Sequence, residues 1–250
     1  MASESEILES KTKEDRVADF LREGIISGRF ARGTRLKQAE IAKLLNTSIT
    51  PVREALKLLE AEGYVTGSSY RSATVVPFDL AASTEILNLR ILLETQLVQG
   101  AMDKISTADL DDLRRLATEF ELVAKRNEGG PARGANYRFH HRLYVIANLP
   151  QTLHFVQILW SRYAFDVINQ IVGRMDRAIA EHAELVRNMM EGNTAGAILS
   201  TRRHIESGWA ELRDALDQYP HVASSRAESV LPSAADEPRP PSGARYSQPI

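Results

Sequence analysis

Apolar and polar positions alternate with two different rhythms along this chain, and the change between them falls near Pro77. In "EDRVADFLREGIIS" (14–27), Val17, Phe20, Leu21 and Ile25 recur at helical spacing, with Gly28 as a stop. "LKQAEIAKLLN" turns Ile41, Ala42 and Leu45 to one side of a second, short helix. In "NTSITPVREALKLLEAEGYV", Val52, Ala55, Leu56 and Leu59 stand at i, i+3, i+4 and i+7, the stripe of an amphipathic helix, directly after Pro51. A proline is tolerated in a first turn, where its missing N–H has no intrahelical partner. Ser48 or Thr50 is expected to cap this helix and Gly63 to stop it. Arg53 and Lys57 lie off the apolar stripe.

Helix, tight turn and a second helix with a cationic outer face make a helix-turn-helix. "YVTGSSYRSATVV" follows, β-rich at both ends with a Gly/Ser middle, and predicts a hairpin wing with Arg71 at its tip. Beyond Pro77 the rhythm is helical throughout. Asp79 is expected to cap a helix carrying Leu80, Leu87, Ile91 and Leu97, and Ser106 one running to about Asn127. After the loop "EGGPARG", helices are predicted over 132–148, 151–172, 174–191 and 194–217. Six such helices suit a bundle. The expected fold is mainly α: a winged helix-turn-helix over 13–77 with a small β-hairpin wing, then an all-α helical bundle over 78–218. A flexible N-terminus (1–12) and a disordered, proline-rich tail (219–250) flank them.

Composition changes this picture little. Of 250 residues, 43% are hydrophobic and 26% charged, as in soluble globular proteins. No stretch approaches the ~20 apolar residues of a membrane span, and the N-terminus lacks a signal-peptide pattern. The absence of cysteine excludes disulfides and thiol chemistry. A cytoplasmic protein without a membrane partner is expected. Net charge is −2, yet residues 22–58 hold eight cations against three anions, a local +5 that suits phosphates.

The helical part holds a second group of polar residues. Asn136 and His140 stand at i, i+4 and project from one face; His182 lies on a stripe with Ala178, Val186 and Met189. His204 sits on a polar face with Ser200, Thr201 and Ser207. Each histidine alone reads equally as a hydrogen-bonded core residue, and nothing here has the local spacing of a metal motif such as HExxH. His141 points roughly 100° away from His140 and is left out. Arg90 and Glu94 at i, i+4 read either as a surface pair worth ~0.3–0.5 kcal/mol or as a fork for an anion.

The string "GRFARGTRLKQAEIAKLLNTSITPVREALKLLEAEGYV" resembles the GntR family of bacterial winged-helix repressors, whose pattern contains Ser-Arg-Thr-Pro-Val-Arg-Glu-Ala-Leu and Glu-Gly-(Leu/Tyr)-Val. The helical remainder is similar to the FCD ligand-binding domain of the FadR subfamily, in its short six-helix, VanR-type form. The resemblance covers about 200 residues, from near Lys13 to near Asp217. It implies a homodimer on double-stranded operator DNA, with contacts expected from Arg35, Lys37, Ser48, Thr50, Arg53, Lys57 and Arg71. It also implies a divalent metal on Asn136, His140, His182 and His204, and an effector carboxylate gripped by Arg90. Such an imidazole-rich set suits zinc or nickel, as well as copper or iron(II). The effector class expected is a small carboxylic or sugar acid.

Three positions depart from the family pattern. Arg32-Gly33 replaces Pro-Gly, expected to alter only a turn. Ile49 replaces an arginine that commonly touches DNA, leaving more of that task to Thr50 and Arg53. Asn136 stands where an aspartate is more usual, which removes a charge from the metal site and weakens it. Two other readings stay open at this level. One is a metal-dependent hydrolase whose three histidines activate water. Against it, no general base is well placed, because Glu181 is adjacent to His182 and diverges from its face. The other is a DNA-architectural or scaffold protein whose histidines are core.

Overall fold

The computed structural model describes residues 12–26, 28–67, 71–79, 81–126, 129–163, 168, 171 and 173–218. The expected flexible start up to residue 11, the tail from residue 219, the wing tip at 68–70 and Leu80 lie outside the described residues.

The first helix, α1 (Lys13–Ile26), begins where Thr12 and Asp15 exchange side-chain-to-backbone bonds of 3.1 and 3.2 Å, a reciprocal cap. It buries Val17, Ala18, Leu21 and Ile25 as the spacing requires. Strand β1 (Arg35–Lys37) leads into α2 (Gln38–Leu44); α3 (Ile49–Ala61), β2 (Val65–Thr66) and β3 (Ser72–Val75) complete this unit. The sheet is antiparallel in the order β1-β3-β2, with Leu36 opposite Ala73 and Val65 opposite Val75. β1 was not expected. Its alternation covers only three residues, and the strand that pairs with it lies some 37 residues on, so no local signal marks it. α1, α3 and the sheet close one core around Leu21, Phe30, Leu36, Ile41, Leu56 and Tyr64.

Ser48 occupies the N-cap position of α3, but neither it nor Thr50 provides a side-chain cap. Pro51 is the third helical residue and buried, among the first four positions whose N–H groups need no intrahelical partner. Gly63 (φ 77°) ends the helix, and Tyr64 N–H donates back to the Leu59 carbonyl at 2.8 Å.

The C-terminal part is helical among its described residues: α4 (Ser83–Met102), α5 (Thr107–Lys125), α6 (Gly129–Ile146), α7 (Pro150–Ser161), α8 (Arg174–Met190) and α9 (Thr194–Gln218). Three boundaries differ from expectation. Asp79 accepts from Ala81 and Ala82 N–H at 2.9 and 3.4 Å within the preceding turn, so Ala82 rather than Asp79 holds the N-cap position of α4. α6 takes in most of "EGGPARG", because Pro131 again falls in a first turn. α7 stops at Ser161 instead of running to 172; of residues 164–172 only Ile168 and Ile171 are described. Ser106 caps α5 as expected, in a full capping box with Asp109.

The main core of this part joins Leu97, Leu113, Phe139, Tyr144, Val156 and Trp160. Tyr137 of α6 packs against both this core and that of the winged unit. Arg138 of α6 is ion-paired to Glu23 of α1 and to Glu119 of α5.

Candidate functional site

Two sets of residues come together, at opposite kinds of surface. The first is exposed. Ser48, Thr50, Arg53 and Lys57 lie outward on α3, and Arg35, Lys37 and Arg71 are exposed at the β1 side of the wing. Backbone pairing holds this side together, with Lys37 opposite Ser72 and Gln38 N–H donating to the Arg71 carbonyl at 3.0 Å. Lys37 and Lys57 make solvent-exposed pairs with Glu40 and Glu54 at 2.7 and 3.0 Å. Such pairs are weak and easily exchanged for phosphate. Ile49, the first residue of α3, is 44% exposed. Two cations of the local +5 do not belong to this face. Arg22 is buried against Glu62 (2.8 Å), and Arg32 donates to backbone carbonyls.

The second set lies inside the helical part, with His140 and His182 buried and His204 and Asn136 half-buried. His140 of α6, His182 of α8 and His204 of α9 each offer one ring nitrogen within 4.8 Å of the others. His140 Nε2 lies 3.1 Å from His182 Nε2. Two nitrogens about 2.1 Å from a shared ion lie roughly 3.0–3.4 Å apart between cis-octahedral and tetrahedral angles, so this pair fits a divalent ion. Packing fixes the rings: His182 stacks on Phe139 at 4.5 Å and tilts against Phe120 at 4.7 Å. Burial first, then the positive ends of neighbouring groups, hold His140 and His182 well below the ordinary histidine value, so both are neutral, as ligation requires. Their Nδ1 atoms are buried with no hydrogen-bond partner. An ion held by the Nε2 atoms would leave these Nδ1 groups unpaired, at about 1–3 kcal/mol each. Asn136, one turn before His140, lines two adjoining cavities together with Arg90 and His204. His141 lies instead beside Tyr137 at 5.4 Å.

Glu181 was discounted in the sequence because it diverges from His182. It does diverge, and it reaches His204 instead, bonding Nδ1 at 2.7 Å while accepting from Ser207 Oγ at 2.6 Å and pairing with Arg174 at 3.0 Å. Burial opposes its charge, but the bonds from His204, Arg174 and Ser207 prevail and hold it down at about 2. A carboxylate on Nδ1 fixes the tautomer that leaves Nε2 with its lone pair, the usual support for a metal-bound imidazole. The same value makes Glu181 a poor base near neutral pH. Arg174, buried in the cavity wall, was also missed. Its partners are Glu181, two turns on along α8, and Ser207 and Glu211 of α9; the i, i+7 spacing to Glu181 is its one local signal.

Arg90 forms the pair with Glu94 at 2.7 Å, but not on the surface: the two are 5% and 1% exposed. Glu94 also accepts from Tyr144 Oη at 2.8 Å and Trp160 Nε1 at 3.1 Å. The Arg90 guanidinium lies 4.5 Å from the Tyr163 ring centre.

A winged helix-turn-helix with a cationic outer face, joined to a helical bundle with a polar buried cavity, defines a DNA-binding protein with a sensor-like second part. Comparison with known proteins agrees. Residues 13–76 match "Bacterial regulatory proteins, gntR family" and residues 85–207 match "FCD domain". The chain belongs to the GntR family of transcription regulators and carries an FCD effector-binding domain. It is 23% identical over 209 residues to the HTH-type transcriptional regulator YdhC of Bacillus subtilis, spanning 79% of this chain and 90% of that one. It is 29% identical over 147 residues to the gluconate operon transcriptional repressor of the same organism, 58% of each chain. Escherichia coli McbR/YncC has the same fold, with a TM-score of 0.74 at 21% identity over 82% of this chain and 99% of that one. These relatives regulate transcription and are not enzymes, which removes the hydrolase reading. No described helix is long and apolar enough to cross a membrane.

Proposed function

We propose that this protein is a metal-containing, acid-responsive repressor of the FadR type, cytoplasmic, and dimeric on an operator with two-fold-related half-sites. The observation that carries the proposal is the neutral donor set around a buried cavity. Three imidazoles and one amide bring no negative charge, and the nearby ionic groups already balance one another as Arg90 with Glu94 and Arg174 with Glu181. A divalent ion on His140, His182, His204 and Asn136 would keep its full charge in a low-dielectric site. An anion is then strongly favoured as the remaining ligand. With Arg90 in the same cavity wall, a small carboxylic or sugar acid fits. The gluconate operon repressor among the relatives acts on genes for such an acid.

The outward side chains Thr50, Arg53, Lys57, Arg35, Lys37 and Arg71, with Ser48 at the helix start, supply the DNA face in this reading. The N-terminal residues of a recognition helix meet base edges, and two copies read half-sites about one helical turn apart. Titration of purified full-length protein with Ni²⁺ and then gluconate tests the cavity reading. The expected result is close to one ion per chain, lost in His182→Ala, with gluconate binding only after the metal. A wild type that takes up no Ni²⁺ or Zn²⁺ overturns it.

A further inference from the structure

Arg32 stands in the turn before β1, where the family pattern has proline. Its Nη1 donates to the carbonyls of Val76 (3.2 Å) and Ser161 (3.1 Å), and its Nη2 to that of Tyr163. Val76 directly follows β3 of the winged unit; Ser161 and Tyr163 lie at the end of α7. One guanidinium thus clamps the two parts of the molecule, and it occupies carbonyls that would otherwise continue α7. Nearby, Ser161 Oγ donates to the Gly63 carbonyl at 3.1 Å, a second tie to the end of α3.

The same short segment also faces the cavity. Trp160 donates its indole N–H to Glu94, and the Tyr163 ring packs on the Arg90 guanidinium. Residues 160–163 therefore present side chains to the Arg90–Glu94 pair and carbonyls to Arg32. We propose that Arg32 is the positioning residue through which the cavity and the DNA-binding unit sense each other. The proposal rests on the reading of the cavity as the sensor.

Geometry makes Arg32 sensitive. A guanidinium presents its N–H groups in a rigid plane, so three carbonyls are satisfied together in only one arrangement of Val76, Ser161 and Tyr163. A ligand that moves Tyr163 on Arg90 displaces a carbonyl that Arg32 holds. The winged unit must then shift with it or lose the bond. Proline has no donor and could not make this link; lysine has donors without the planar fork. The departure at this position does more than reshape a turn.

Coupling between two ligands is reciprocal, so it can be read from the metal side. Ni²⁺ affinity of the full-length protein is measured by calorimetry, alone and with a saturating duplex selected from a random-sequence library. Wild type is expected to show a ratio of about fivefold or more between the two states. Arg32→Gln is expected to bind Ni²⁺ within about twofold of wild type without DNA, while the ratio falls toward one; Arg32→Lys falls between. Ser161→Ala removes the neighbouring tie but leaves the clamp, and is expected to keep most of the ratio. Arg32→Gln with the wild-type ratio overturns the proposal, and so does a Ser161→Ala loss as complete as that of Arg32→Gln. A wild type that binds Ni²⁺ with a ratio of one overturns the clamp as a link to the metal site, whereas a wild type that takes up no Ni²⁺ overturns the reading of the cavity.

Discussion

At the scale of single residues, burial decides what each charged group contributes. Arg90 is the plainest case: spacing alone leaves a surface pair and a fork for an anion both open, yet the pair is enclosed and Glu94 takes two further donors. Removing Arg90 leaves Glu94 buried without its counter-charge. Arg90→Ala should therefore cost about 3 kcal/mol, at the low end for a broken buried pair because Tyr144 and Trp160 still donate. Thermal denaturation measures it, and an unchanged Tm would refute the account. Arg53 is the opposite case. It is exposed, so Arg53→Ala should leave Tm unchanged and weaken operator binding at moderate salt, as read by mobility shift. Glu181 acts through His204, so Glu181→Gln should lower metal affinity by about 10–100-fold while leaving the three histidines in place. The histidines themselves were legible from their residue type and the family resemblance. Glu181 and Arg174 stand seven residues apart on α8, a spacing common to many charged helix faces, and nothing local marks their bonds to His204 and Ser207 of α9.

At the scale of elements, apolar periodicity revealed the helices that bury one long stripe, such as α1, α3 and α5, and concealed what depends on a distant partner. β1 exists because β3 offers it an edge, and α7 ends where Arg32 meets its carbonyls. Prolines misled in one direction only: both Pro51 and Pro131 sit inside first turns, and only the former was recognised. The cap of α5 can be tested by itself. Ser106→Ala should cost about 1 kcal/mol in denaturant unfolding. Its partner Asp109 is held below the usual aspartate range by the bonds from Ser106, with Arg142 adding to them. A lowered folded value means that this stability is present above the unfolded value of ~3.9 and is lost as pH falls through the folded one. The stability difference between wild type and Asp109→Asn should therefore shrink on acidification from pH 7 to pH 3, and a constant gap would contradict the cap.

At the scale of the whole molecule, the helices α6, α8 and α9 meet at three neutral histidines, so their packing is linked to protons. Their folded values lie below the unfolded ~6.5, and the unfolded chain takes up protons first. Metal-free protein should lose stability as pH falls below ~6.5, whereas the stabilisation added by Ni²⁺ should hold there and fall only as pH approaches the lower folded values. Thermal melts with and without chelator between pH 8 and pH 5 check both; a metal-free Tm that did not fall over this range would contradict three histidines buried in their neutral form. Asn136→Asp should steepen the binding by restoring a carboxylate.

The clamp at Arg32 also has a temporal side. Its partner Tyr163 lies 131 residues later in the chain. At a synthesis rate of ~5–20 residues per second, roughly 7–26 s separate the two at the ribosome. Over the later part of that interval, once Val76 has been made, the nascent winged unit has all the strands and helices described for it but lacks the segment that anchors it. Its earliest life is thus that of a DNA-binding module with no sensor attached, and the order of synthesis places regulation last.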